Sequence, residues 1–345
     1  MAGSRLEAAL AAGLSVAEGA RIAVFAPRSD SDLSAFAADQ CHIITGFRPD
    51  RDHFAAQGYA CNTAPEGRYG AALVILPRAK ALARGLVALA ESVTDGPLVI
   101  DGAKTDGIES VLKEARKRGA ISGQISKAHG KLFWLLPQAQ ADGDTDAQSA
   151  RFADWALPDS QIIEGGYHTA PGVFSADAID PASRLLAGAL PDKLGAHIAD
   201  LGAGWGYLSA QVLSRDSVKT VHLVEADHAA LDCAQRNVTD ARAQFHWADA
   251  TQWTPPKDAS APRIDTVVMN PPFHSGRRAE PELGRAFIAQ AARILAQSGH
   301  LWMVANRHLP YEEALNAGFA HVEEVAGDNR FKVLHAQRPK ARSRT

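Results

Sequence analysis

The sequence predicts two Rossmann-like α/β domains in tandem, each a parallel, doubly wound sheet. Three observations predict it. Strand-like apolar runs alternate with helix-like periodicity in both halves, a polar stretch with almost nothing to bury separates them, and the order strand, turn, helix, strand recurs from the first half to the second. A chain of 345 residues suits two domains better than one. A hydrophobic fraction of 46% and a charged fraction of 22% let each half bury a core. The net charge of −3 excludes a protein that coats nucleic acid through general basic character, and leaves room for a local basic patch.

Residues 1–14 are Ala-rich with Leu6, Leu10 and Leu14 four apart, the spacing of an amphipathic helix. This segment lacks the continuous apolar core of a secretion signal, and no run of 18 apolar residues occurs, so a cytoplasmic protein without a membrane partner is expected. Cys41, Cys61 and Cys233 show no CxxC spacing, which fits a reducing compartment and predicts neither a disulfide frame nor a metal site. The first half, 1–137, has strands at 22–25, 71–76 and 98–101 and a helix at 82–92. Residues 138–150 are Gln, Ala, Asp, Gly, Thr and Ser, the composition of a linker. The second half, 151–345, has strands at 197–201, 221–225, 266–269 and 300–305, with helices at 208–214, 229–237 and 283–295. Phe287, Ile288, Ala291, Ile294 and Leu295 form one stripe of the last helix, and Gly299 reads as its stop.

The two halves read as an internal duplication, the plain alternative being that any two α/β domains look alike. The first copy has Leu76-Pro77-Arg78 where the second has Asn270-Pro271-Pro272. After strand 22–25 comes Ala26-Pro27-Arg28-Ser29, with no glycine triplet. The first copy thus keeps the frame and lacks the chemistry.

That chemistry begins at Asp200-Leu201-Gly202-Ala203-Gly204-Trp205-Gly206, between a strand and a helix. Glycines at alternate positions let the backbone turn sharply and approach a ligand. A dinucleotide fingerprint wants G-x-G-x-x-G. Here the sixth position is Tyr207 and the third glycine is Gly206, a spacing that favours an S-adenosylmethionine (AdoMet) turn. A purely structural glycine turn is the plain alternative. Glu225 ends the next strand, where a carboxylate can accept from both ribose hydroxyls, of AdoMet or of NAD. Asp249, followed by Ala250, falls one strand later and can accept from an adenine amino group. Asp200 can order the ammonium end of AdoMet. All lie at the strand ends where open α/β sheets bind ligands.

Asn270-Pro271-Pro272-Phe273 follows an apolar strand directly. The prolines fix φ and supply no N–H, so nearby carbonyls can face a cleft beside the amide oxygen of Asn270. Phe273 offers a flat face to a planar ring. Such a site suits holding an exocyclic amine, or a side-chain amide, while a methyl group arrives. A Pro-rich turn after a strand is the structural alternative. His274 reads as a hinge or an RNA contact rather than a general base. Arg277 and Arg278 can hold phosphates at the cleft mouth or form a solvated loop. Arg338, Lys340, Arg342 and Arg344 make a cationic tail.

These residues resemble class I AdoMet-dependent methyltransferases, and more narrowly the RsmC/RlmG-type ribosomal RNA guanine-N2 methyltransferases. The likeness rests on Pro171-Gly172-Val173-Phe174-Ser175, the 200–206 turn, Asn270 to His274, Val304-Ala305-Asn306, Leu309-Pro310-Tyr311 and Arg330-Phe331-Lys332-Val333. It covers about 165–336, and the N-terminal half matches in layout alone. The resemblance implies two methyltransferase folds in tandem. The first would be degenerate, serving RNA binding or stability, and the second would carry a seven-stranded AdoMet-binding sheet. It further implies a loop at Phe174 and Ser175 covering the cofactor, and methyl transfer to guanine N2 in ribosomal RNA of the small subunit by a monomer. Trp205 within the turn, Arg307-His308 before Leu309 and Arg277 depart from the family pattern; Arg307 joins His274, Arg277 and Arg278 as an expected RNA contact. Adenine N6 and a protein glutamine amide remain alternative acceptors, and a non-catalytic RNA-binding or ribosome-assembly protein is the alternative of another class.

Overall fold

The computed structural model describes residues 3–137, 150–158, 160–256, 263–272 and 281–340. The chain divides into two compact units, Met1–Asp159 and Ser160–Thr345. The first carries β1 (Ile22–Phe25), β2 (Cys41–Ile44), β3 (Ala60–Asn62), β4 (Ala71–Ile75), β5 (Leu98–Ala103), β6 (Gly123–Lys127) and β7 (Gly130–Leu135). The second opens with a two-stranded ribbon, β8 (Gln161–Ile162) and β9 (His168–Thr169). Its sheet is β10 (His197–Leu201), β11 (Thr220–Glu225), β12 (Ala243–Trp247), β13 (Ile264–Met269), β14 (Leu295–Asn306), β15 (Phe319–Gly327) and β16 (Phe331–Pro339).

The two sheets have one topology. The first runs β3-β2-β1-β4-β5-β7-β6 and the second β12-β11-β10-β13-β14-β16-β15. In each, the first five strands are parallel and the penultimate strand in space is antiparallel to both neighbours. The expected duplication is therefore present strand for strand. In the second sheet the strand order reverses between β10 and β13, the switch point at which such sheets open a ligand crevice.

The central strands read as near-continuous apolar runs because helices cover both faces. Val267 and Met269 face one core, with Leu201, Phe287, Leu301 and Tyr311, while Val268 faces the other, with Ile198, Val212, Leu223 and Val333. Burying each of these larger side chains contributes roughly 1.5–3 kcal/mol. Strand β15 lies at the sheet edge and exposes Glu323 and Glu324, charges that discourage edge-to-edge pairing.

Three expectations need correction. Leu295, placed in the last helix by its apolar stripe, is the first residue of β14; the helix is Pro281–Ile294. Gly299 is not a helix stop. Pairing jumps from Ile264–Leu295 to Thr266–His300, so β14 bulges there, and a Cβ on Gly299 would lie 2.8 Å from the Ala296 carbonyl oxygen. Residues 151–157, expected to open the second domain, pack on the first unit instead. Phe152 and Trp155 join its core, and Arg151 pairs with Glu91 at 2.7 Å. The bulk of the linker composition, 138–149, lies outside the described residues.

Register shows what the first copy has lost. Val24 pairs with Ile43 and Leu73 as Asp200 pairs with Leu223 and Val268. Counting on from these pairs, Val24 stands for Asp200, Ala26 for Gly202, Thr45 for Glu225 and Ile75 for Asn270, one residue earlier than the Pro motif suggests. The backbone remembers the glycine. Ala26 keeps φ 50° and donates to the Ile44 carbonyl at 2.9 Å, as Gly202 at φ 75° donates to Val224 at 2.9 Å. Arg28 occupies the place of Gly204. Its guanidinium reaches over the switch point to the Leu76 carbonyl, 3.1 Å, and to Asp106, 3.5 Å.

Candidate active site

The glycine turn follows β10, and each glycine answers a different constraint. All three have positive φ, 75°, 56° and 89° for Gly202, Gly204 and Gly206. A Cβ on Gly202 would sit 3.3 Å from Phe287, and one on Gly206 would sit 3.0 Å from Val238. A Cβ on Gly204 would meet nothing within 4 Å, so this glycine leaves open space on the ligand side of the turn.

Glu225 braces that turn. Its Oε2 accepts from the Gly204 amide at 2.8 Å and its Oε1 from the Asp227 amide at 2.7 Å. Burial raises its carboxyl above the ordinary carboxylate range, against the pull of those amides. Each oxygen has a second lone pair, so the group retains capacity for hydroxyl donors. Asp200 is fully buried at the end of β10. Its Oδ2 accepts from Ser209 Oγ at 2.7 Å, and its Oδ1 has no partner among the described residues. Burial pushes this carboxyl up to about 7.

Asn270 follows β13, across the switch point from the glycine turn. Its Nδ2 donates to Asp180 Oδ2 and to Ser183 Oγ, both at 2.9 Å. An ionised carboxylate only accepts, which fixes the amide with its oxygen turned away from Asp180. That oxygen, Oδ1, is buried without a partner among the described residues. Asp180 is the N-cap of the helix Pro181–Ala189 and also accepts from the Ser183 amide at 2.8 Å. Pro271 is buried and Pro272 exposed. Phe174, Ser175, Asp180, Ser183, Gly204 and Asn270 line one cleft.

Trp205 also lines this cleft. It is 4% exposed, packs with Val173, Ala230 and Cys233, and donates Nε1–H to the Phe174 carbonyl at 3.0 Å. The bulky residue in the turn thus ties down the 171–175 loop. Phe174 itself is 58% exposed, and Ser175 takes φ 54° with its Oγ on the Ala178 carbonyl at 2.8 Å. Asp249 holds its own turn: Oδ1 accepts from the Thr251 amide and hydroxyl at 2.8 and 2.7 Å, and Oδ2 from Gln252 at 2.9 Å. Ala250 is buried in the core.

Strand order sets these groups in a row: Asp249 after β12, Glu225 on β11, the glycine turn after β10 and Asn270 after β13. Three strand spacings separate the ends of the row, about 14 Å at ~4.8 Å each. The row fits an extended nucleoside carrying a charged tail. Two buried oxygens in it, on Asp200 and Asn270, lack partners among the described residues, and one glycine leaves room that a side chain would fill. The side-chain acceptors in the row are all oxygens and suit hydroxyls, amines and an ammonium as donors.

Phe273, His274, Arg277 and Arg278 lie outside the described residues, as do Arg342 and Arg344. Arg307 is committed to its own loop, donating to Glu324 Oε1 at 2.9 Å, to the Asp328 carbonyl at 2.7 Å and to the Phe331 carbonyl at 3.1 Å. Lys340 donates to the Asn316 carbonyl at 2.6 Å. The sequence reading missed Asp180 and Ser183. An Asp-Pro pair opening a helix just after the 171–175 loop was the available signal.

Residues 164–335 match the family model described as the methyltransferase small domain. A ribosomal RNA small subunit methyltransferase C from Pseudomonas paraeruginosa is 31% identical over 307 residues, 88% of this chain and 87% of that protein. One from Hahella chejuensis is 29% identical over 239 residues, 69% of this chain and 68% of its own length. Among solved structures, a T. thermophilus 16S rRNA N2 methyltransferase in complex with AdoMet and guanosine superposes with a TM-score of 0.72 at 24% identity, covering 95% of this chain and 90% of that one. At that identity the likeness speaks for the fold.

Proposed function

The chain belongs to the ribosomal RNA small subunit methyltransferase C family, and from that premise we propose that it transfers a methyl group from S-adenosylmethionine to the exocyclic N2 amine of a guanine in 16S ribosomal RNA. The observation that carries this reading at the site is the amide of Asn270. Its nitrogen is clamped by Asp180 and Ser183, and its oxygen has no partner among the described residues at the switch point beside the glycine turn.

Bound AdoMet supplies an electrophilic sulfonium methyl. The protein's part is to bind, orient and polarise. Asp249 accepts from the adenine amine, Glu225 from the ribose hydroxyls, and Asp200 faces the ammonium; Gly202, Gly204 and Gly206 let the backbone approach, with Phe174 and Ser175 closing over it. A guanine N2 lone pair is delocalised into the ring and is a weak nucleophile. Asn270 Oδ1 and the Pro271 carbonyl accept its two N–H bonds and raise electron density on nitrogen as it meets the methyl. This is positioning and electrostatic preorganisation. Phe273 stacks on the base, which is read unpaired. The proton is lost to water after transfer. The target is met in the small subunit, in the cytoplasm, and the enzyme acts as a monomer. No helix among the described residues is long and apolar enough to cross a membrane.

Labelled methyl offered with intact small subunits, with naked 16S RNA and with a protein fraction tests the proposal. N2-methylguanosine on nucleoside analysis is expected. Label in N6-methyladenosine or in protein would overturn it.

Two predictions concern the cofactor. Asp200 has its carboxyl raised from 3.8 to about 7 by burial. The unfolded chain therefore releases this proton before the folded chain does, so the group favours the folded state at low pH and that contribution is lost as pH rises from about 4 to 7. The ammonium of AdoMet favours the ionised carboxylate. AdoMet binding below pH 7 should then release a proton, and affinity should rise between about pH 6 and 8. Calorimetry in buffers of different ionisation heat reads this directly; identical profiles for wild type and Asp200→Asn would remove Asp200 from the role. The second concerns stoichiometry. With Val24, Thr45 and Arg28 in place of Asp200, Glu225 and Gly204, the first unit binds no AdoMet. Titration should give one site per chain, and a second site would refute the argument from register.

A further inference from the structure

One strand beyond Asn270, the same sheet edge carries a polar notch of about 420 Å³ lined by Asn306, Arg307, His308, Asn329 and Arg330. We infer that this notch seats a phosphodiester of the substrate RNA next to the target nucleotide, with Arg330 and His308 as the contacting side chains. The inference rests on the methyltransferase reading above and deepens it.

Distance supports the assignment. Met269 pairs with Met303 across β13 and β14. Asn270 lies one residue past its strand partner and Asn306 three past. The offset is two residues along the strand and one strand across, about 8 Å in all by ~3.3 Å rise and ~4.8 Å spacing. A backbone phosphate adjoining a base held at Asn270 falls within that reach.

The charges are divided by duty. Arg307 is held by Glu324 and by the Asp328 and Phe331 carbonyls, and so shapes the wall. Asp328 turns its Oδ1 toward the Arg330 and Phe331 amides, both at 2.7 Å, so its carboxylate builds the 328–331 turn. Arg330 is exposed and makes no ion pair among the described residues. Its guanidinium lies 4.9 Å from the centre of the Phe331 ring, which supports it from below while its N–H groups stay free. His308 is exposed on the facing loop, and Asn306 and Asn329 add amide donors. A fork of guanidinium donors suits phosphate oxygens.

The test uses the full-length enzyme with 16S ribosomal RNA and AdoMet, comparing wild type with Arg330→Gln, Arg330→Lys and His308→Ala. Arg330→Gln should raise KM for RNA about 5- to 10-fold with little change in kcat. It should leave AdoMet affinity unchanged and flatten the dependence of log affinity on log salt by about one unit. Arg330→Lys should restore the salt slope, and His308→Ala should raise KM for RNA. Unchanged RNA affinity and salt slope in Arg330→Gln would overturn the inference, as would a fall in kcat alone. Failure of the wild type to methylate any RNA would instead strike the parent reading.

Discussion

Asn270→Ala should lower kcat for methyl transfer on the order of 10²- to 10³-fold, the usual cost of deleting one preorganised hydrogen-bonding group at a reacting centre. AdoMet affinity should stay within about threefold. Asn270 is expected to act on the acceptor nitrogen through its carbonyl oxygen, which is buried without a partner among the described residues. The variant should fold, since Asp180 Oδ2 keeps the Ser183 amide as donor. Ser183→Ala supplies the graded control. It removes one of two bonds that fix the amide and leaves the carbonyl in place, so a smaller loss of about tenfold is expected. Single-turnover transfer to RNA, with AdoMet binding measured separately, reads both. Equal turnover by Asn270→Ala would end the proposed mechanism.

The largest stability effect is expected in the first unit, from a buried ion pair. Arg5, on the N-terminal helix Gly3–Ala11, donates Nε–H to Asp101 Oδ1 at 2.6 Å and Nη2–H to Oδ2 at 3.0 Å, with only 7% and 2% of the two residues exposed. Gly130 makes the room, for a Cβ there would lie 2.8 Å from Arg5 Nη1. Burial raises the Asp101 carboxyl even with the guanidinium beside it, a sign that desolvation is the larger effect. Keeping such a pair gains little over apolar packing, but breaking it strands a buried charge. Arg5→Ala should therefore destabilise the unit by about 3–5 kcal/mol, lowering its Tm by roughly 10 °C. The double change Arg5→Met with Asp101→Leu should recover most of that loss. Denaturant unfolding of the three proteins checks it, and a double variant as unstable as the single one would refute the desolvation argument.

Much of the scaffold was legible because local chemistry writes it. Strands 22–25 and 197–201 are found at their expected limits: the first is an uninterrupted apolar run, and the second, His197-Ile198-Ala199-Asp200-Leu201, leads straight into the glycine turn. Leu295 was misplaced because the same apolar stripe serves a helix end and a buried strand start. Residues 151–157 were assigned across the boundary because composition marks a linker and does not say which core Phe152 and Trp155 will join.

For the site, the chain order alone put Asp200, the alternate glycines, Glu225, Asp249 and Asn270 at successive strand ends, because a doubly wound topology turns sequence order into spatial order. Folding decided the rest through contacts between residues far apart in the chain. Only packing shows that Asp180 and Ser183, some 90 positions upstream, set which way the Asn270 amide faces. Only packing shows that Trp205 restrains the 171–175 loop, that Arg28 reaches the Leu76 carbonyl in the first unit, and that Arg307 is already paired while Arg330 makes no ion pair among the described residues. Residue type and spacing determine which groups are available; three-dimensional neighbours determine which of their lone pairs and protons remain free to act.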